Sequence, residues 1–104
     1  MSTLTFDPAV AQRMRALSRA NAVRLGAAQL RRELGAGTIS LADALEDERA
    51  QPVEIFALLS AQRRWGPRRV RSLLNGVMIG EHRRVRDLTA RQRAVLVERA
   101  GGAA

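Results

Sequence analysis

The 104-residue chain contains no cysteine, no tyrosine and no lysine, a single histidine, and only two phenylalanines and one tryptophan. Without cysteine there is no disulfide and no thiolate metal site, as suits a reducing cytoplasm. His82 alone cannot build a multi-histidine metal centre. No nucleophile, base and orienting residue stand in a recognisable set, and no glycine-rich loop has the spacing that cradles phosphates. The expectation is therefore a non-enzyme with no catalytic residue, no metal, no cofactor and no small-molecule substrate. His82 is expected in an exposed loop, touching a phosphate at most.

Scarce aromatics leave Leu, Val, Ile and Ala to fill the core, within an apolar fraction of 46%. β-branched runs bounded by turn residues are missing, so the chain is predicted to be all-α. No apolar stretch approaches the roughly 20 residues that cross a bilayer. The opening MSTLTFDPAV lacks the basic and apolar regions of a signal peptide. A cytoplasmic protein without a membrane partner is expected. There is no internal repeat and no low-complexity linker, and the length fits one structural domain.

What the chain has is arginine: all 18 basic residues, against 10 acids, for a formal charge of +8. Arginine presents a planar fork that pairs bidentately with phosphate. The charge is also unevenly placed. Residues 1–60 hold seven Arg and seven acids, whereas residues 61–104 hold eleven Arg against Glu81, Asp87 and Glu98, which is the whole +8. A polyanion-binding module at residues 39–104 on a neutral support is the natural reading.

Helix signals order the chain. Residues 1–6 are expected to form a loose arm. Asp7-Pro8 is a cap followed by proline at the first helical position, opening a long helix that runs to Leu34 and is stopped by Gly35-Ala36-Gly37. Arm and helix make up residues 1–38. The apolar positions Val10, Met14 and Leu17, then Val23, Ala27, Leu30 and Leu34, keep helical spacing with a register shift between them, where Gly26 permits a bend. Its arginines are read as a solvated face, with phosphate contacts beside the C-terminal module as the alternative. Ser40 with Asp43 resembles a capping box for a short helix over residues 41–50, and acidic residues 46–48 are read as a solvated surface.

Gln51-Pro52 predicts a third helix to about Ala61, Pro67 a fourth with Val70, Leu73, Leu74 and Val77 inward, and Thr89 with Gln92 a fifth with Val95, Leu96 and Ala100 inward. Met78 and Ile79 are expected in the core, Gly80 near the end of the fourth helix, and residues 101–104 as a frayed tail.

The candidate site is two arginine clusters. Arg63, Arg64, Arg68, Arg69 and Arg71 straddle the Trp65-Gly66-Pro67 corner, and Arg83, Arg84 and Arg86 sit in the loop after the fourth helix. Arginine at a helix N-terminus opposes the macrodipole and costs stability unless an anion arrives. That cost favours a binding role over a solvated basic face. The six in the fourth helix and the loop after it, Arg68, Arg69, Arg71, Arg83, Arg84 and Arg86, are expected to neutralise about six phosphates, with strong salt dependence and little base reading. Trp65 has two readings, a plug of the core or a stacking or wedging group in the minor groove.

The C-terminal residues resemble the integration host factor family of actinobacteria, the single-chain, all-helical type. The likeness covers about residues 40–98. It is closest at Glu81-His82-Arg83-Arg84-Val85-Arg86-Asp87-Leu88, where the family shows Arg-Arg-Val/Leu-Arg-Gly-Leu before a closing helix. Leu58-Leu59, Gly66 and residues 70–74 fall at family-like spacing. The resemblance implies a long N-terminal helix packed on a compact helical module containing a helix-two-turn-helix. It implies a nucleoid-associated protein that binds double-stranded DNA with little sequence preference and alters its shape. By position, Gly66 is similar to the turn glycine that brings backbone against phosphate, Arg68, Arg69 and Arg71 to its basic flank, and Arg83, Arg84 and Arg86 to the loop arginines. At the turn, Gln62, Arg63 and Pro67 replace the family's leucine, proline and lysine, and Asp87 replaces a glycine. Pro67 also removes a backbone donor.

The leading expectation is thus an architectural DNA-binding protein of the nucleoid that contacts phosphates and the minor groove, acts as a monomer, and bends or compacts DNA. The alternatives are an RNA- or ribosome-binding protein and a protein-interaction adaptor. A ribosomal protein with a related module carries a long basic C-terminal tail, and this chain ends in uncharged Gly-Gly-Ala-Ala. The adaptor would use the acidic segment and the long helix as docking surfaces. DNA-repair glycosylases with a related module have catalytic and zinc residues that this chain lacks.

Overall fold

A computed structural model describes residues 7–101 and is all-helical, with no strand among them. The expected arm at residues 1–6 and residues 102–104 of the tail lie outside the described residues. The first helix, α1 (Pro8–Ala36), starts as its sequence directs: Asp7 caps it by accepting the Ala9 amide at 2.9 Å, and Pro8 occupies the first position. It runs slightly past the expected end at Leu34. Gly37, at φ 78°, is the left-handed stop, with its amide on the Leu34 carbonyl and the Thr38 amide on that of Glu33.

Gly35 lies inside the last turn and serves packing instead. A Cβ there would fall 2.9 Å from the Ala61 carbonyl oxygen. Gly35→Ala gains helix propensity of about 1 kcal/mol, yet the backbone contact must open, and overpacking costs about 1–3 kcal/mol. A melt followed by circular dichroism should show a lower Tm for this variant. A higher Tm would mean that the Ala61 backbone yields freely.

Only the last third of α1 meets the core, through Ala27, Leu30 and Leu34. Val10, Met14 and Leu17, expected as an inward stripe, are 43%, 64% and 65% exposed. The register shift has a physical origin in two different faces. The buried positions recur on one side, whereas Val10, Met14, Leu17 and exposed Leu25 recur on another. The helix outruns the module, and the molecule measures 68 × 26 × 22 Å. Gly26 lies within continuous helix, and a Cβ there would sit in ordinary contact with the Arg49 methylenes, 3.4 Å away.

The predicted helix over residues 41–50 divides into α2 (Leu41–Glu46) and a 3₁₀ turn (Glu48–Ala50). Ser40 caps α2 through the Asp43 amide at 3.1 Å. In the acidic segment Glu46 and Glu48 are exposed, as expected, whereas Asp47 is half-buried. Asp47 caps the 3₁₀ turn and holds Arg49, whose guanidinium also grips Glu33 of α1 at 2.6 Å. These bonds hold both carboxyls below their usual range and raise the guanidinium further. Glu46 faces Arg93 at 3.7 Å.

The third helix, α3 (Ile55–Ser60), is shorter than expected, and Pro52 does not open it. Residues 51–54 are drawn instead into pairing with a distant loop: the Val85 amide donates to the Val53 carbonyl at 3.0 Å, the Arg86 amide to that of Gln51 at 3.1 Å, and the Ile55 amide to that of Arg83 at 2.7 Å. Glu54 and Arg84 form an antiparallel bridge within this pairing. The fourth helix, α4 (Pro67–Gly76), has Pro67 at its start as expected, and the fifth, α5 (Ala90–Gly101), opens on the reciprocal Thr89 and Gln92 bonds of 2.9 and 3.1 Å.

Leu58, Leu59, Ile55, Val70, Leu74, Val85 and Leu96 are fully buried with Leu30 and Leu45. Leu73, Val77 and Ala100 pack on this core half-exposed, and Val95 is half-buried. Ile79 is inside at 5% exposure, but Met78 is 89% exposed, contrary to expectation.

Candidate nucleic-acid interface

Both arginine clusters are positioned by α3. The first occupies the connector leaving its C-terminal end and the first turns of α4. The second lies on the loop hydrogen-bonded across its N-terminal end, where the Phe56 amide also donates to the Glu81 carbonyl at 3.1 Å. The two are tied directly, since Arg71 Nε donates to Glu81 Oε1 at 3.0 Å while its guanidinium lies 5.1 Å from the Phe56 ring centre.

The arginines differ in how far the protein itself employs them. Arg63, Arg64, Arg68 and Arg86 are exposed and form no ion pair with a described residue. Arg83 reaches the Asp87 carbonyl at 3.3 Å and Arg84 the Pro52 carbonyl at 3.3 Å, neutral acceptors that leave each cation uncompensated. Arg71 is neutralised by Glu81 and is the least available.

Trp65 sits as the packing reading expects. It is half-buried and packs on the core, while the Arg69 guanidinium stacks 3.9 Å from its ring centre. Such stacking orients a cation without consuming its charge. Arg99 of α5 joins Trp65, Arg68 and Arg69 around a shallow hollow, a neighbour that chain order did not suggest.

Gly66 stands at the N-cap of α4 with φ −75° and ψ 168°, a conformation any residue adopts, and nothing lies within 4 Å of where its Cβ would be. Neither strain nor internal packing requires a glycine here. It makes no side-chain cap, so the first amides of α4 have no side-chain acceptor at the cap.

His82 lies in the exposed loop as expected, its Nδ1 3.1 Å from Glu54 Oε2, and this carboxylate raises the imidazole above its ordinary pKa. Two α1 residues also reach the region: Arg24 and Arg31 line an open groove with Pro52, Glu54, Ala57 and Arg84. Their sequence signal was present, because residues 8–32 carry six arginines and no acid, but only the fold tells which two approach the loop. Arg93 of α5 supports that loop from beneath through the Val85 carbonyl at 3.2 Å.

Among the described residues no three His, Cys, Asp or Glu side chains gather as a metal site, and no helix is long and apolar enough to cross a membrane. No protein-family model matches the chain, and no curated protein does. The chain is similar to a solved structure described as sIHF bound to an 8-bp palindromic DNA, with a TM-score of 0.73 and 26% identity, over 79% of this chain and 97% of that one.

Proposed function

We propose that this protein is a nucleoid-associated, architectural DNA-binding protein of the single-chain integration host factor type. It grips the phosphates of double-stranded DNA with little sequence preference, reaches the minor groove, and bends or compacts the duplex as a cytoplasmic protein without a cofactor. One observation carries the reading. Two arginine clusters about twenty residues apart are held at opposite ends of one short helix, the first by the connector that leaves it and the second by backbone hydrogen bonds, with most of their charge uncompensated. Holding so much like charge together is costly unless a polyanion neutralises it. The likeness to a DNA-bound sIHF, over nearly the whole of that chain, supports the same reading.

In this proposal Arg63, Arg64, Arg68, Arg69, Arg83, Arg84 and Arg86 contact phosphates, with Arg71 secondary. Trp65 orients Arg69, and Gly66 keeps the entrance of α4 low enough for close approach. Residues 39–104 form the binding module, and residues 1–38 form a support that lends Arg24 and Arg31, all within one structural domain.

The test is a salt series with a random duplex of about 30 base pairs labelled at both ends. A log–log slope of roughly −6 with the ends drawing together is expected for the seven proposed phosphate contacts. Arg68→Ala should flatten the slope by about one unit for every sequence tried. An effect confined to one sequence would sink the backbone-contact reading.

A second reading has an observation of its own. The exposed Val10, Met14, Leu17 and Leu25 of α1 give the adaptor alternative an apolar surface, whereas in the acidic segment it also invoked Asp47 is taken by Arg49 and Glu46 lies 3.7 Å from Arg93. A shallow slope with an unbent duplex would favour it.

A further inference from the structure

Two helices of this protein stop in the same way with different residues. In α1 the Gly37 amide meets the carbonyl three residues back, and the next amide meets the one five back from itself. In α4 the Met78 amide meets the Asn75 carbonyl at 3.2 Å and the Ile79 amide that of Leu74 at 3.0 Å, the same pair of bonds. This motif needs a left-handed residue at its corner, where glycine meets no steric penalty. α1 has glycine there at φ 78°, and α4 has methionine at φ 59°.

The methionine gains nothing inside the protein that offsets the strain. It is 89% exposed, while the neighbouring Ile79 is buried in the same core cluster as Leu74. Glycines stand at 76 and 80, on both sides of the one position whose backbone calls for one.

Its surroundings suggest a use. One exposed row of α4 runs from Arg68 through the short Ser72 and Asn75 to Gly76, flanked by exposed Arg69 and Arg71. Met78 follows two residues beyond the end of α4, exposed, and the chain then enters the loop bearing Arg83, Arg84 and Arg86. The described residues hold one other non-glycine residue at positive φ, Arg64 at 69°, just ahead of α4. Both strained residues thus bracket the helix of the candidate interface, and both are exposed to solvent.

We infer that Met78 is an apolar wedge, held left-handed at the end of α4, that presses against base steps of the bound duplex between the two arginine clusters. This rests on the DNA-binding reading above. A flexible, polarisable thioether suits irregular contact with bases, and unstacking by an apolar side chain anchored by flanking phosphate contacts is how a small protein kinks a duplex.

The test compares Met78→Gly and Met78→Leu with the unaltered protein on the same doubly labelled 30-base-pair duplex. Met78→Gly should raise Tm by about 4–8 °C through relief of the backbone. It should also weaken binding about tenfold and leave the DNA straighter, with an unchanged salt slope because no charge is lost. Met78→Leu should keep both affinity and bend. A Met78→Gly protein that is more stable yet binds and bends as before overturns the wedge while leaving the DNA-binding reading intact. An unaltered protein that shows no steep salt slope overturns both.

Discussion

Replacing Arg64, Arg68 and Arg86 together by alanine is expected to lower DNA affinity about 500-fold at roughly 0.1 M salt. Each neutralised phosphate contributes about 0.9 to the log–log slope. Taking away three such cations therefore removes about 2.7 units of slope, and the same number of decades in affinity between 1 M and 0.1 M salt. Each of the three is exposed and forms no ion pair with a described residue. Their removal should leave stability within about 0.5 kcal/mol, and a melt distinguishes lost binding from lost folding. The effect should be equal on unrelated sequences, since backbone contacts orient without reading bases. If the slope stays steep, the charge that grips DNA lies elsewhere, and the six arginines of α1 become the place to look.

Leu58→Ala is expected to have the largest effect on stability. Leu58 is fully buried in α3, the element from which both arginine clusters hang. Deleting its methyl and methylene groups loses transfer free energy and leaves a cavity, a cost of about 2.7–5 kcal/mol for such sites. Against a typical total of about 5–15 kcal/mol the loss is a large share. For a domain of this size it should lower Tm by more than about 10 °C. The variant should also bind DNA poorly near its lowered Tm yet recover at low temperature, where the fold is restored. Poor binding that persists in the cold would show that α3 sets the spacing of the clusters more finely than the fold as a whole.

The fate of three prolines shows how far local reading reaches. Pro8 and Pro67 each open a helix, as their fixed φ and missing amide favour. Pro52 carries the same signal and opens none, because the Val53 and Gln51 carbonyls are taken by amides more than thirty residues away. Met78 and Ile79 make the same point for burial. Adjacent and both apolar, they read alike, yet the left-handed turn between α4 and its loop sends one inward and the other out. The Arg49 clasp on Glu33 was likewise invisible, because a sixteen-residue separation carries no periodic signature.

By itself the sequence determined the helical class, the capped starts of α1, α2 and α5, the proline start of α4, and the concentration of positive charge beyond residue 60. Each of these follows from short-range causes: proline and cap geometry, side-chain periodicity and composition. Tertiary structure alone decided that the first two-thirds of α1 stays uncovered, that Gly35 admits a carbonyl, and that Trp65 both packs and stacks under Arg69. It also decided that the two arginine clusters lie at opposite ends of α3, linked through Arg71 and Glu81. Those outcomes depend on which backbone groups and side chains meet across long stretches of chain, and such meetings are set by the packing of the whole core.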